Sequence, residues 1–425
     1  MIAVEVLPSG PVVGELAAPT SKSITNRALV AAALAEGTSV VRDPLDSDDS
    51  DAMRRAVAAF GATVVSRPGA WQVTGTAGRL TSPAQPVSAG LSGTTMRFVA
   101  GLAALAPNGA TITGAAPLLR RPIGPLVTAF GRLGAALRDD AGYPPVVAAG
   151  GGLAGGPVQV DGTGSSQFAS GVLLVAPYAR ADVTVGVHGA TASGYIDLTA
   201  DVMRAFGAEV EREDQSRWRV TAGRGYAARD HRVEYDASAA AHLLAMAAAT
   251  GGAVTVRNAT PGSRQPDAAL TDVLAAMGCT VERSGDTLTL TGPRALNPVH
   301  VDLGAMPDQV TTVAVLAALA QGTTTITGVA VSRGHETDRL AALAHELGAV
   351  GVRVEERPDG LAVHGGTAAG PARLATHDDH RLAMAFAALA ARVPAVVIED
   401  AQCVGKTYPA FWADLRGLGV RWRER

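Results

Sequence analysis

Apolar and polar positions along the chain repeat with a period of roughly 72 residues. Each period contains a helical pattern that ends in a bulky apolar residue, a glycine and a small residue, and short β-like runs follow it. The six matches are Phe60-Gly61-Ala62, Leu133-Gly134-Ala135, Phe206-Gly207-Ala208, Met277-Gly278-Cys279, Leu347-Gly348-Ala349 and Leu418-Gly419-Val420. Because glycine adopts the left-handed conformation most readily, each of these glycines is predicted to end a helix.

Alanine-rich helices mark the same period. They are predicted to begin at Ser21, Ser92, Ser165, Asp236, Asp308 and Asp379. A β-branched strand is predicted after each helix, at residues 38–41, 110–113, 183–187, 254–256, 323–327 and 395–398. The pattern therefore predicts six similar α/β units.

The predicted helix starts also have a chemical meaning. Ser and Asp are good N-caps, and a helix N-terminus attracts anions through its free N–H groups and its dipole. Several starts carry cationic or amide side chains as well, among them Lys22, Arg97, Gln167 and Arg381. Six equivalent starts of this kind predict a site for phosphate-rich ligands, and a pair of anionic substrates fits them better than a single one.

Composition narrows the class of protein. The 425 residues are 47% hydrophobic and 18% charged, which is typical of a globular protein with two or three domains. The formal net charge of −3 argues against a nucleic-acid partner. Cys279 and Cys403 are too few for a disulfide framework and lack metal-ligand spacing. With no leader pattern and no long apolar run, we expect a cytoplasmic protein without membrane or metal.

Short motifs in register with the repeat resemble those of the EPSP synthases. They are PTSKSITNRA at 19–28, LSGTTMR at 91–97, LLRRPIG at 118–124, GSSQF at 164–168, MPD at 306–308, GHETDR at 334–339, DDHRLAM at 378–384 and GKTYP at 405–409. The resemblance implies an α/β fold of two inside-out, barrel-like domains, each of three βαβαββ repeats, with helix N-termini facing an interdomain cleft. We expect one domain at 1–20 plus 236–425 and the other at 21–235.

The resemblance also implies the reaction. Members of this family transfer the enolpyruvyl group of phosphoenolpyruvate to the 5-hydroxyl of shikimate-3-phosphate, in the pathway to chorismate and the aromatic amino acids. No cofactor is expected, the two small molecules are the expected partners, and the chain is expected to be a monomer.

Similarity to the family assigns roles residue by residue. Phosphoenolpyruvate is expected to contact Lys22, Gly93, Arg121, Gln167, Arg339, Arg381 and Lys406. Shikimate-3-phosphate is expected to contact Lys22, Ser23, Arg27, Ser165, Ser166, Gln167, Ser193, Tyr195, Asp308 and His335. The expected catalytic groups are Lys22, Asp308 and Glu336, because the reaction needs one proton delivered to a methylene carbon and another removed from a hydroxyl.

The chain also departs from the family at several positions. Val331 stands where an amide side chain is common, His335 where Lys is common, and Ala192 where a phosphate-binding Ser is common. These departures leave open a related transferase that acts on another phosphorylated polyol or nucleotide. A UDP-N-acetylglucosamine enolpyruvyl transferase would carry a reactive Cys in the loop 114–121, which has none. An RNA 3′-terminal phosphate cyclase or a non-catalytic anion-binding scaffold fits the cations and carboxylates less well.

Overall fold

The computed structural model describes residues 2–8, 10–189 and 192–425, which form 24 strands and 12 α-helices. The strands are β1 (Val4–Val6), β2 (Val13–Leu16), β3 (Thr38–Arg42), β4 (Thr63–Arg67), β5 (Ala70–Thr74), β6 (Val87–Ser88), β7 (Ala110–Thr113), β8 (Leu137–Asp140), β9 (Tyr143–Ala148), β10 (Gly156–Asp161), β11 (Val183–His188), β12 (Val210–Arg212), β13 (Arg217–Val220), β14 (Asp230–Arg232), β15 (Ala253–Val256), β16 (Thr280–Ser284), β17 (Thr287–Thr291), β18 (His300–Asp302), β19 (Gly322–Thr327), β20 (Arg353–Arg357), β21 (Gly360–Gly365), β22 (Ala372–Leu374), β23 (Val396–Ile398) and β24 (Trp422–Glu424). The helices are α1 (Lys22–Leu34), α2 (Asp48–Ala59), α3 (Gly93–Leu105), α4 (Gly124–Arg132), α5 (Gln167–Val175), α6 (Gly194–Ala205), α7 (Ala237–Thr250), α8 (Leu270–Ala276), α9 (Val310–Leu319), α10 (Arg339–Ala349), α11 (His380–Ala390) and α12 (Phe411–Gly417).

The chain divides into two compact units. One unit is the continuous segment Thr20–Val233, and the other combines Met1–Pro19 with Glu234–Arg425. Each unit has its own hydrophobic core, formed by residues of that unit. The α/β repeat architecture predicted from the sequence is confirmed.

Each unit contains three four-stranded sheets with one topology. In the sheet β10-β11-β13-β12, β10 is parallel to β11, β11 is antiparallel to β13, and β12 pairs with β13 at the far edge. The same order holds for β6-β7-β9-β8 and for β18-β19-β21-β20. A helix connects the parallel strands of each repeat, so the unit of structure is βαβαββ.

The remaining three sheets complete this topology with a strand from a distant part of the chain. β14 is the parallel partner of β3, and β2 is the parallel partner of β15. β1 lies between β23 and β24 and is antiparallel to both. Both units are therefore closed by pairing between early and late segments of their own chain.

Three helices occupy the centre of each unit. In Thr20–Val233 these are α1, α3 and α5, which contact one another, and in the discontinuous unit they are α7, α9 and α11. Almost every residue of these helices is buried, as in helix α7, which is apolar around nearly its whole circumference. The sheets thus lie outside the helices, which is the inside-out arrangement implied by the resemblance. Within the described ranges, no helix is long and apolar enough to cross a membrane.

Most predicted element boundaries are confirmed. Ser21, Ser92, Asp236 and Asp379 are N-caps whose side chains accept a hydrogen bond from a backbone N–H in the first turn. All six predicted strands are present within one residue of the expected bounds.

Two predicted helix starts are wrong in detail. Helix α5 begins at Gln167, with Ser166 at the N-cap position, and the Ser165 hydroxyl accepts from the Gln167 N–H at 3.2 Å. Asp308 lies inside the 3-10 turn Pro307–Gln309, and α9 begins only at Val310. Its carboxylate does not cap the helix, because two arginine side chains hold it.

The fifth glycine signature is also wrong. Gly348 lies inside α10 and is not among the glycines with positive φ, whereas Gly351 has φ +80°. The helix runs on to Ala349, with Val350 as its C-cap, so the repeat's apolar-Gly-apolar signature is Val350-Gly351-Val352. The other five glycines of the series have positive φ, as predicted.

Candidate active site

Lys22 stands at the N-terminal end of α1, where the helix cap places it. The Ser21 hydroxyl accepts from the Ile24 N–H at 3.4 Å, so Lys22 is the first helical residue. Its ammonium lies 3.3 Å from the carboxylate of Asp49 in the first turn of α2, and both side chains are largely buried. The Thr95 hydroxyl of α3 donates to the Asp49 carbonyl at 3.5 Å. The starts of α1, α2 and α3 therefore lie together around one lysine.

Gly93 leaves room for an arginine at the N-terminus of α3. A Cβ atom added at Gly93 would lie 2.8 Å from Nη1 of Arg121, the residue that follows the 3-10 turn Leu118–Arg120. Any side chain here would displace the guanidinium. The structure thus brings Gly93 and Arg121 together, with a cation in front of a helix N-terminus.

Gln167 is oriented by a short hydrogen-bond network between α3 and α5. Arg97 donates from Nη1 to the Gln167 side-chain oxygen at 2.8 Å and to the Ser165 hydroxyl at 3.4 Å. The Gln167 side-chain nitrogen then donates to the Thr94 hydroxyl at 3.2 Å. Because arginine only donates, it fixes which end of the Gln167 amide is the oxygen.

Arg27 is held by groups of the protein itself. Its guanidinium donates to the Thr199 hydroxyl at 2.7 Å, the Ser23 carbonyl at 2.8 Å, the Tyr195 carbonyl at 3.3 Å and the Ser170 hydroxyl at 3.5 Å. Burial lowers the pKa of Arg27 to about 10, which leaves it charged at neutral pH. The residue thus ties α1 to α5 and α6. Two other predicted phosphate contacts, Ser166 and Ser193, occupy N-cap positions at which the side chain makes no capping bond.

A second cluster, the Asp308 cluster, lies in the discontinuous unit. It consists of Asp308, His335, Glu336, Arg339, Asp379, Arg381 and Lys406. Arg339 donates to one oxygen of Asp308 and Arg381 to the other, each at 2.7 Å. The Asp308 side chain is nevertheless 23% exposed. One edge of this arginine-bound carboxylate can therefore reach a ligand.

Arg339 connects the whole cluster. Its Nε donates to Asp379 at 2.7 Å, and its Nη2 donates to Glu336 at 3.0 Å. Asp379 is fully buried, and its other oxygen accepts from the Arg381 N–H at 2.9 Å. One carboxylate thus orients the guanidinium of Arg339 and caps the helix that carries Arg381.

Glu336 is the second carboxylate of the cluster whose side chain is partly exposed. Its Oε1 accepts from Nζ of Lys406 at 2.7 Å, while Oε2 accepts from Arg339. Asp308 and Glu336 are therefore both bound to Arg339, but Glu336 has a lysine as its other partner where Asp308 has a second arginine. Two carboxylates in different charge settings can take different roles in proton transfer.

Charge and burial compete at these groups. Burial opposes the ionisation of Asp308, but Arg381, Arg339 and His335 outweigh it and hold the pKa of Asp308 well below its usual range. Burial likewise opposes the charge on Arg339, but Asp379, Asp308 and Glu336 raise the Arg339 pKa above its ordinary value. Burial, together with Arg381 and Arg339, lowers the pKa of His242 on α7 to about 3. His242 is thus neutral beside a charged cluster.

Sequence reasoning missed three residues that hold the expected ones. Asp49 pairs with Lys22, Arg97 orients Gln167, and Asp379 orients Arg339 in addition to capping α11. Asp379 was expected only as a cap, and Arg97 only as part of a motif. The one sequence signal for Asp49 is its position in the acid-rich segment 46–51, which ordinarily indicates a helix start.

The fold is shared with enolpyruvyl transferases of known structure. The structure superposes on EPSP synthase from Acinetobacter baumannii with a TM-score of 0.84 and 26% sequence identity, covering 100% of both chains. It also matches the fold of an enolpyruvyl transferase from Streptomyces tendae, with a TM-score of 0.79, 19% identity, and coverage of 100% of this chain and 99% of that one.

Sequence comparison places the chain within one family of that class. The family model described as EPSP synthase (3-phosphoshikimate 1-carboxyvinyltransferase) matches residues 6–415. The 3-phosphoshikimate 1-carboxyvinyltransferase of Methanoculleus marisnigri is 41% identical, over 98% of this chain and 99% of that protein. The enzyme of the same name from Methanosphaerula palustris is 42% identical, over 97% and 98%. The chain belongs to the EPSP synthase family.

Proposed function

We propose that this chain transfers the enolpyruvyl group of phosphoenolpyruvate to the 5-hydroxyl of shikimate-3-phosphate. The products are 5-enolpyruvylshikimate-3-phosphate and phosphate. The observation that carries the proposal is the pair Asp308 and Glu336, held in one cation cluster by a shared arginine in a chain of this family. Its relatives of 41% and 42% identity carry the name of this activity.

The reaction requires two proton transfers at different atoms. The hydroxyl oxygen attacks C2 of phosphoenolpyruvate while C3 receives a proton, and the tetrahedral adduct then loses phosphate as C3 gives up a proton. We assign Glu336 and Lys22 to the methylene side and Asp308 to the hydroxyl side. Glu336 is bound to Lys406, a cation suited to a phosphate, which supports its placement beside phosphoenolpyruvate.

The remaining assignments follow the charges of the two substrates. Phosphoenolpyruvate carries a carboxylate and a phosphate, and we assign it to Lys22, Gly93, Arg121, Gln167, Arg339, Arg381 and Lys406. The phosphorylated sugar is assigned to Lys22, Ser23, Arg27, Ser165, Ser166, Gln167, Ser193, Tyr195, Asp308 and His335. Arg27 donates to the Thr199 hydroxyl and to the carbonyl of Ser23, which fixes it beside another residue of this set. We also infer that the reaction serves aromatic amino-acid synthesis in the cytoplasm.

Phosphate release tests the proposal directly. The purified protein is incubated with phosphoenolpyruvate and shikimate-3-phosphate, free phosphate is measured, and the sugar product is identified by mass. Shikimate without its phosphate and UDP-N-acetylglucosamine serve as alternative acceptors, and Glu336→Gln serves as a folded control of low activity. Of the three acceptors, we expect only shikimate-3-phosphate to give turnover with phosphoenolpyruvate. Faster turnover with either alternative acceptor would contradict the assigned function.

A further inference from the structure

Glu336 lies in a short segment between two regular elements. The 3-10 turn Ala330–Gly334 follows β19, and helix α10 begins at Arg339 with Asp338 as its N-cap. Residues 335–337 belong to neither element. Their position therefore depends on the contacts that hold the two ends of the segment.

Arg333 holds the first end of this segment. Its Nε donates to the carbonyl of Pro358 at 3.2 Å, and its Nη2 donates to the carbonyl of Arg357 at 2.7 Å. Its Nη1 donates to Oε1 of Glu356 at 2.6 Å. All three acceptors lie at the end of β20 or in the turn that leads to β21. The guanidinium thus fixes the 3-10 turn to this hairpin.

The same guanidinium also holds the second end of the segment. Nη1 of Arg333 donates to Oδ2 of Asp338 at 2.9 Å and to Oδ1 at 3.2 Å. Oδ1 of Asp338 also accepts from the N–H groups of Leu340 and Ala341, each at 3.1 Å, which caps α10. The ion pair therefore closes a loop around residues 334–337, and we call this closed loop the Arg333 clasp.

A further contact places the Arg333 clasp relative to Asp308. The Ser332 hydroxyl belongs to a fully buried residue and donates to the Pro307 carbonyl at 3.1 Å. The 3-10 turn is thus attached to the turn that contains Asp308 on one side and to the β20–β21 hairpin on the other. With both attachments in place, the separation of Asp308 and Glu336 depends on the loop that the clasp closes.

Glu336 needs this restraint because its own partners are assigned to a substrate. Its carboxylate is bound by Lys406 and Arg339. Both cations are assigned to phosphoenolpyruvate, whose carboxylate and phosphate compete with Glu336 for their donors. The acceptors of Arg333 are all groups of the protein, and none of them is assigned to a substrate. The clasp therefore remains closed when the substrate binds.

We propose that Arg333 is a positioning residue that, through its ion pair with Asp338, keeps Glu336 at the methylene carbon of phosphoenolpyruvate. The inference rests on the proposed function and adds a residue to it. Arg333 is 28% exposed, and an isolated ion pair at this exposure contributes little, but here one guanidinium makes five bonds to four groups. Displacing a catalytic group by about 1 Å can lower the rate by about 10²-fold, so loss of the clasp should act on kcat.

Arg333→Met tests the clasp, and Arg353→Met is the matched control. Arg353 also lies on β20, but it is 75% exposed and pairs with Glu355 at 2.5 Å. In Arg333→Met we expect kcat to fall by about 10²-fold and exchange of the phosphoenolpyruvate methylene hydrogens with deuterated solvent to slow. KM for both substrates should change only a few-fold, because Arg339 remains bound to Asp379.

A purely structural role of Arg333 would give a different result. It would lower Tm while leaving kcat and methylene exchange of the folded variant unchanged. Wild-type kcat and exchange in folded Arg333→Met would therefore overturn the inference. An equal loss of kcat in Arg353→Met would overturn it as well.

Asp338→Asn tests the same ion pair without removing the helix cap. Asn caps helices about as well as Asp, so α10 should keep its start, but the partner of Arg333 loses its charge. We expect kcat to fall by about 10-fold with KM unchanged. Wild-type kcat in this variant would contradict the clasp, even if Arg333→Met does not fold.

The double variant and the wild type complete the test. Because both substitutions remove one interaction, Arg333→Met/Asp338→Asn should lose no more kcat than Arg333→Met alone, and additive losses would contradict the clasp. A folded wild-type chain that does not consume shikimate-3-phosphate contradicts the proposed function and the clasp together. An active wild type with a fully active Arg333→Met variant contradicts the clasp alone.

Discussion

Arg339 is bound to three carboxylates at once, those of Asp308, Glu336 and Asp379. Its side chain is 1% exposed, so none of these bonds is replaced readily by water. The planar guanidinium can serve all three because its five donors point in fixed directions. A lysine at this position has three donors on one atom and could not reproduce the arrangement.

Loss of this arginine should therefore destabilise the protein. Arg339→Met leaves Asp379 buried without its cation, and breaking such a pair is expected to cost about 3–5 kcal/mol of unfolding free energy. Arg373→Met is the control, because Arg373 pairs with Glu399 at 2.8 Å on the surface and should cost at most about 1 kcal/mol. Urea unfolding of both variants measures the difference, and equal losses would show that the burial of the Arg339 pair does not matter.

Substitutions of Asp308 and Glu336 should impair different stages of the reaction. Glu336→Gln is expected to slow addition and elimination alike and to suppress exchange of the phosphoenolpyruvate methylene hydrogens with deuterated solvent. Asp308→Ala should still bind substrates but impair hydroxyl-side proton transfer and adduct breakdown. Losses of about 10²–10⁴-fold are expected for positioned acid–base groups. Rapid-quench kinetics distinguish the stages, and unaltered exchange in Glu336→Gln or wild-type adduct kinetics in Asp308→Ala would remove that residue from its role.

At the scale of elements, local signals were predictable and long-range ones were not. Ser21 and Asp379 cap helices through groups two or three residues away, so the sequence contains all that determines those helix starts. Asp308 follows Pro307, and the same local signal predicts a cap at this position. Its actual partners, Arg339 and Arg381, lie 31 and 73 residues further along the chain, and no local pattern could reveal them.

The residues of the two clusters show the same difference between local signals and long-range contacts. The motifs identified Lys22 and Gln167, but their partners Asp49 and Arg97 come from other helices and were not identified as site residues. Helix packing brings these groups together. The sequence could therefore predict the repeat, most helix starts and the charged positions, whereas the contacts that orient each side chain required the structure.

Two neighbouring glycines of one repeat provide a test of the helix boundary. Gly348 lies within α10 with open space around it, so Gly348→Ala should stabilise the protein by about 0.5–1 kcal/mol. Gly351 has φ +80°, and Gly351→Ala should destabilise it by about 1–2 kcal/mol. Thermal unfolding of the two variants compares the same chemical change at two positions. Equal shifts in Tm, or a lower Tm for Gly348→Ala together with a higher Tm for Gly351→Ala, would contradict a helix that ends at Ala349.

At the scale of the whole molecule, the two units differ in whether one continuous segment contains all their strands. All strands of the unit Thr20–Val233 pair within that segment, and its core is its own. Residues 234–425 lack β1 and β2, which complete two of the three sheets of the other unit.

The segment 20–233 should therefore fold alone. We expect cooperative unfolding with a free energy of about 5–15 kcal/mol and no turnover, because Asp308 and Glu336 are absent. The segment 234–425 should not fold unless a peptide of residues 1–19 is supplied. Circular dichroism and proteolysis of the two segments measure this. Protease resistance of 234–425 without the peptide would show that β1 and β2 are dispensable.

The position of β1 between β23 and β24 sets an order of events during synthesis. The ribosome makes β1 and β2 first, yet the last partner of β1 ends at Glu424. At about 5–20 residues per second, β1 waits roughly 20–80 s for that partner. The segment 20–233 has time to fold while it emerges, but the unit that holds Asp308, Glu336 and Arg339 can close only after β24 has emerged from the tunnel. Each new molecule thus carries an unpaired β1 until β23 and β24 have been made, and the sheet of Asp308's unit that contains β1 is completed only then.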